Sequence, residues 1–140
     1  MYGENESFDN KKKGALNYLI MKAVKGEKLS IYKRGNFYRD YIYVDDVVSA
    51  LLFLQEKGIQ NDLYLIGYGK PVLFKDIISY ILNLTGKKSN VTEIKRPKFH
   101  KVVGTENFVA NTSKINSLGW NPRIDYKEGI RRIVEKYKKL

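Results

Sequence analysis

The stretch Leu29-Ser30-Ile31-Tyr32-Lys33-Arg34-Gly35-Asn36, followed by Arg39-Asp40-Tyr41-Ile42-Tyr43-Val44-Asp45-Asp46-Val47, reads as two β-rich runs, a turn and the start of a helix. Leu29–Tyr32 and residues 41–44 carry β-branched and aromatic side chains, the types that fit a pleated, half-buried surface. Residues 33–36 between them have turn character, so the two runs are expected to pair as a hairpin. Asp45 and Asp46 then offer an N-cap and negative charge at the positive end of a helix dipole. That helix is expected to bury Val47, Val48, Leu51, Leu52 and Leu54 and to end near Gly58.

Upstream, Leu16, Leu19, Ile20, Ala23 and Val24 share one helical face after the lysines at 11–13, and Gly26 stops it. Downstream, residues 62–66 read as a buried strand running into Gly67-Tyr68-Gly69. Phe74, Ile77, Ile78, Ile81 and Leu82 keep helical spacing up to Gly86, with Leu73, a poor capping residue, at the start. Val91–Ile94 is strand-like, and residues 95–110 are irregular and basic, with Arg96-Pro97 breaking any helix, as in a functional loop. A short helix over about residues 112–118 stops at Gly119. A last helix opens on Asp125-Tyr126-Lys127-Glu128, a capping-box-like pairing, and turns Ile130, Ile133, Val134 and Tyr137 inward. Short connections between helices and strands describe an α/β fold, with residues 1–140 expected to form a single domain.

A chain of 140 residues, 43% hydrophobic and without cysteine, suits a packed core and excludes a disulfide scaffold, zinc–thiolate clusters and thiol nucleophiles. No apolar run reaches the roughly 18 residues of a membrane span, and the first ten residues are polar and acidic, so a soluble, cytoplasmic protein is expected. The formal charge of +11 is uneven: residues 95–140 hold 12 basic and 4 acidic side chains, against 9 and 7 in residues 1–47. Such an excess attracts phosphate in any form, from a polymer backbone to a nucleotide diphosphate.

A dinucleotide site needs a strand, a glycine-rich turn and a helix N-terminus, because only glycine lets the backbone approach a pyrophosphate. Gly67-Tyr68-Gly69 lacks the third glycine and the acidic ribose partner, and reads as a tight turn before a helix. Tyr18-x-x-x-Lys22 has the spacing of a tyrosine–lysine acid/base pair, but with 11 Tyr and 20 Lys one or two such pairs arise by chance. The lone His100 has no triad partner and no second histidine for a metal, and Asp45-Asp46 is better explained as a helix cap than as a carboxylate pair. Arg39 follows a glycine turn, where a guanidinium could be held rigidly against a diphosphate, and Tyr32 could offer a base an aromatic face. On composition alone, packing is the simpler account of both.

The opening stretch resembles the nucleotide-sugar epimerase and dehydratase family, the extended short-chain dehydrogenases. Tyr64-Leu65-Ile66-Gly67-Tyr68-Gly69 is similar to that family's Tyr-Asn-Ile-Gly-x-Gly strand end, and Tyr2-Gly3 to the Tyr-Gly of its Asn-x-Tyr-Gly-Pro motif. Thr112-Ser113-Lys114-Ile115, Leu118-Gly119-Trp120-Asn121-Pro122 and Glu128-Gly129-Ile130 resemble its closing signature. The ordered set spans essentially all 140 residues and is most like UDP-glucose 4-epimerases and dTDP-glucose 4,6-dehydratases. The resemblance implies the C-terminal, nucleotide-sugar-binding half of such an enzyme: about five helices with a few short strands, and no dinucleotide-binding Rossmann core.

It also implies roles. Arg39 matches the arginine that contacts the diphosphate, Ile31 and Tyr32 the strand end along the nucleobase, and Arg96 a second phosphate arginine, with His100 close by; Lys98 and Lys101 are the alternatives to Arg96. NAD belongs to the parent enzyme and none is expected on this chain, which should carry no catalytic or metal-binding residue and should bind without turnover. A nucleoside-diphosphate sugar is the implied ligand, and a homodimer or an NAD-binding half the implied partner. Departures include Lys33 for a glycine, Leu65 for asparagine, Asn111 for aspartate and Glu4 for proline. Two other classes predict different behaviour: a basic nucleic-acid module would bind with steep salt dependence, and an oligomerising remnant would self-associate through apolar surface. Aromatics are not interleaved with the basic cluster, which disfavours nucleic acid.

Overall fold

Three amphipathic helices build the main core. A computed structural model describes residues 1–6, 15–87, 89–95 and 107–140, and in it α1 (Ala15–Lys25) turns Leu16, Leu19, Ile20 and Ala23 inward before Gly26 stops it at φ +73. Helix α3 (Phe74–Thr85) buries Phe74, Ile77, Ile78 and Ile81 and ends at Gly86, while the final helix, α5 (Tyr126–Tyr137), buries Ile130, Ile133, Val134 and Tyr137. These three pack on one another, each fully buried isoleucine contributing about 1.5–3 kcal/mol relative to exposure. Asp125 caps α5 as its sequence predicts, accepting from the Glu128 N–H at 2.8 Å. Buried Asn17 donates to the Gly3 carbonyl at 2.7 Å and the Tyr137 hydroxyl at 3.1 Å, fastening the N-terminal segment to α1 and α5.

The strands are short and differ from the predicted hairpin. β1 (Leu29–Tyr32) pairs in parallel with β4 (Val91–Ile94), Leu29 opposite Val91 and Tyr32 opposite Ile94. β2 (Tyr38–Arg39) pairs antiparallel with β3 (Val72–Leu73), Arg39 opposite Val72. Residues 41–44 form no hairpin with β1: the Tyr2 N–H donates to the Ile42 carbonyl at 3.1 Å and the Val44 N–H to the Tyr2 carbonyl at 2.9 Å. A 3₁₀ turn over Lys33–Gly35, in which Lys33 and Arg34 take φ +45 and +52, carries the chain away from β1. Residues 62–66 are likewise no strand; Tyr64 and Ile66 pack inward, whereas Leu63 and Leu65 face solvent.

Helix α2 (Val44–Lys57) departs from its sequence reading in two ways. Tyr43 is its N-cap and Asp45 and Asp46 lie inside the first turn. Asp46 is buried and accepts from the Arg123 N–H at 3.0 Å and the Ile124 N–H at 2.9 Å, so it ties the approach to α5 onto α2 rather than capping a helix. Ala50, with Val47 and Leu54 beside it, faces a second cluster of Ile42, Ile115 and Trp120, while Val48, Leu51 and Leu52 are 51–60% exposed. The helix is apolar on both sides, and small Ala50 lets the neighbouring chain approach on the side that is covered. Ile115 belongs to α4 (Ser113–Ser117), a single short helix close to the span read from the sequence. Five helices and four short strands therefore make up the described residues, an α/β arrangement.

Candidate functional site

A cavity of about 620 Å³ lies between α1, β1 and the segment that follows β1. Helix α1 lines it with Ala15, Tyr18, Leu19 and Lys22, residues that recur on one helical face. Strand β1 contributes Ser30, Ile31 and Tyr32; Lys33, Phe37, Arg39, Tyr41 and Phe74 complete the wall with Ile94. Phe37 and Phe74 stack with ring centroids 5.0 Å apart, and the Phe74 N–H donates to the Phe37 carbonyl at 2.9 Å, giving the cavity a rigid aromatic side. Among the described lining residues three are cationic, Lys22, Lys33 and Arg39, and none is a carboxylate. Positive charge on low-dielectric walls concentrates anions.

Arg39 is held from both sides. Its guanidinium lies 5.6 Å from the centroid of the Phe37 ring, a cation–π geometry, and its backbone is paired in β2. Asp40 beside it accepts from the Tyr68 N–H at 2.8 Å, the Gly69 N–H at 3.0 Å and the Ala110 N–H at 3.1 Å, which fixes the chain direction at Arg39. Burial pushes the Tyr41 hydroxyl up to about 12, with Arg39 pulling it partly back, so the phenol is neutral at physiological pH. The cavity thus combines aromatic and aliphatic surface with fixed cations, a composition that suits a flat aromatic group linked to phosphate.

Three of the residues singled out by resemblance, Ile31, Tyr32 and Arg39, meet at this cavity. Ile31 is buried and serves as wall; Tyr32 and Arg39 are half-buried. Arg96 and His100, like Lys98 and Lys101, lie outside the described residues. Sequence reasoning missed Tyr18, Lys22, Phe37 and Phe74 as lining residues; the i, i+4 spacing of Tyr18 and Lys22 was the available signal. A second, more open depression of about 760 Å³ runs past Tyr68, Lys70, Asn111, Thr112 and Asn121, with Lys70 its one cation among the described lining residues.

Comparison with known proteins gives relatives for the sequence and the fold. Residues 1–67 match the model of the NAD dependent epimerase/dehydratase family. Over 135 residues the chain is 33% identical to a Methanocaldococcus jannaschii protein named "Putative UDP-glucose 4-epimerase", covering 96% of this chain and 42% of that protein. The chain is thus similar to members of the NAD dependent epimerase/dehydratase family, by its first 67 residues to the family model and along nearly its whole length to this relative. A solved structure of UDP-glucose 4-epimerase with UDP-glucose from Thermotoga maritima superposes with a TM-score of 0.83 at 27% identity, over 99% of this chain and 43% of that one. The dTDP-glucose 4,6-dehydratase of Bacillus anthracis, solved with NAD, shares the fold at a TM-score of 0.82 and 23% identity, over 99% of this chain and 42% of that one. The chain therefore spans somewhat under half the length of the relatives it matches.

The family's dinucleotide is not accommodated by Gly67-Tyr68-Gly69. Two of the three N–H groups held by Asp40, those of Tyr68 and Gly69, belong to this turn, so a pyrophosphate would meet a carboxylate instead of free donors. A Cβ at Gly67 would sit 2.5 Å from the Ala110 Cβ and 2.6 Å from the Asp40 Oδ2. The glycine is needed for close packing of this turn on Asp40 and Ala110, in keeping with its reading as a tight turn.

Proposed function

We propose that this chain is the substrate-binding part of an NAD-dependent nucleotide-sugar epimerase or dehydratase, UDP-glucose 4-epimerase-like, and that its cavity takes the nucleoside diphosphate. The observation that carries this reading is that Ile31, Tyr32 and Arg39 converge on one cavity with aromatic walls, three cations and no carboxylate among its described lining residues. Arg39 forks the diphosphate, Ile31 and Tyr32 flank the nucleobase, and Arg96, with His100 near it in sequence, supplies a second phosphate contact. The sugar then projects toward an NAD-binding part, where hydride and proton transfer take place; binding the remote nucleotide handle orients the reacting carbon. Residues 1–140 by themselves bind and do not turn over, because the hydride acceptor and the acid/base pair come with that other part.

The exposed Val48, Leu51 and Leu52 of α2, and separately the exposed Leu63 and Leu65, offer apolar surface that supports docking of an NAD-binding part. Calorimetric titration of UDP, dTDP and UDP-glucose tests the binding claim. Uridine or thymidine diphosphate binds the wild-type chain, and Arg39→Ala weakens it at least about tenfold, the scale of a charge-assisted hydrogen bond. Salt-sensitive binding of a short RNA without any nucleotide heat would overturn the reading in favour of a basic nucleic-acid module.

A further inference from the structure

Tyr18 and Lys22, whose spacing chance accounts for in the sequence, are placed by the fold in the same cavity as Arg39. They lie one helical turn apart on α1, with the Lys22 Nζ 5.5 Å from the centroid of the Tyr18 ring. The same Nζ is 3.6 Å from Glu27 Oε2, too far for a hydrogen bond, so its N–H groups can turn to an acceptor on a ligand. With its side chain 24% exposed, Lys22 sits where such a bond is only partly screened by water.

The three cations among the cavity's described lining residues fall into two groups, with Lys33, in the turn directly after β1, on the Arg39 side in chain order. Arg39 rests on Phe37 and lies beyond the 3₁₀ turn that follows the end of β1. Lys22 rests on Tyr18, and only residues 26–28 separate α1 from β1, which places the Lys22 end of the helix beside the beginning of that strand. A nucleotide with its diphosphate on Arg39 and its base along Ile31 and Tyr32 therefore presents the far edge of the base to Tyr18 and Lys22.

We propose that Tyr18 and Lys22 form a base-reading wall, a specificity device that rests on the nucleotide-binding reading above. Tyr18 packs its ring against the base, and Lys22 donates to a ring carbonyl. An ammonium has donors and no acceptor, so it favours uracil, thymine or guanine, which carry a carbonyl at the reading edge. Cytosine and adenine carry an amino donor at the same position and meet donor with donor.

The test is calorimetric titration of UDP, CDP, GDP and ADP into the wild-type chain, Lys22→Met, Lys22→Arg, Tyr18→Leu and Arg39→Ala. Wild type prefers UDP to CDP by about tenfold or more, as expected for one charge-assisted hydrogen bond gained against an unpaired donor. Lys22→Met removes that preference by weakening UDP and leaving CDP within about twofold, and Lys22→Arg, which keeps a donor, retains it. Tyr18→Leu weakens all four ligands together, and Arg39→Ala does so with the UDP-to-CDP ratio intact. GDP preferred over ADP with the same Lys22 dependence extends the device to purines. Equal losses of UDP and CDP in Lys22→Met would assign Lys22 to the phosphates and overturn the proposal while leaving the nucleotide site standing. Absence of any nucleotide binding to wild type would overturn both.

Discussion

The two hydrophobic clusters are built from similar residues and finished differently. The cluster under α1, α3 and α5 is closed: Ile20, Ile77, Ile81, Ile130 and Ile133 are each wholly buried, and Asn17 cross-links its edge. The cluster under α2 is covered on one side only, where Ala50, Ile115 and Trp120 meet, and the opposite side of the helix leaves Leu52 60% exposed. A fold that completes one core and leaves apolar side chains uncovered over another has surface suited to the docking proposed above. The cavity between α1 and β1 draws on the closed region, through α1, β1 and Phe74, which gives its walls a rigid support.

The contrast is broken most directly by matched truncations. Ile81→Ala is expected to cost about 3 kcal/mol, because it opens a cavity in a wholly buried layer. Leu52→Ala, a similar chemical change on the uncovered side, should stay within about 0.5 kcal/mol. Urea denaturation of the two variants measures the difference directly, and comparable losses would show that α2's outer face is covered in solution. A smaller effect of opposite sign belongs to the turn between β1 and β2. Lys33 has φ +45, a conformation that costs a side-chain-bearing residue about 1 kcal/mol, so Lys33→Gly should raise stability by roughly that amount in thermal melts.

The smallest expected effect sharpens the closed region at its surface. Glu128 on α5 accepts from Arg131 and Arg132, and these hydrogen bonds hold its carboxyl down to about 2. A carboxyl lowered on folding stabilises above its unfolded value near 4.5 and loses that contribution as pH falls through about 2. Thermal melts from pH 5 to 2 should therefore show an acid limb that Glu128→Gln flattens. The effect is modest because the group is at the surface.

How much was legible depended on whether the deciding partner was local. Helices α1, α3 and α5 could be read because their apolar residues recur at helical spacing against a polar opposite face. Helix α2 could be placed but its buried side could not be chosen, since Val48, Leu51 and Leu52 are as apolar as Val47 and Leu54. Asp46 looked like a cap because Arg123 and Ile124, which it holds, lie 77 and 78 residues away. The hairpin failed for the same reason: β1's partner is β4, some sixty residues on, and nothing near Leu29 announces it. Arg39 and Tyr32 were singled out from their setting in the sequence and gained weight from resemblance to a family, which added Ile31, whereas Tyr18 and Phe74 join them in one cavity only through packing across the fold.

Asp40 adds a kinetic dimension to the site. Its two carboxylate oxygens gather amides 28, 29 and 70 residues further along the chain, and Arg39 takes its orientation from the same short segment. Loops of that length close late, after local helices have formed, because their entropy must be given up before the contact returns anything. Arg39 is thus among the last features of the cavity to settle, and on the proposed reading recovery of nucleotide binding during refolding should lag behind the return of helical signal.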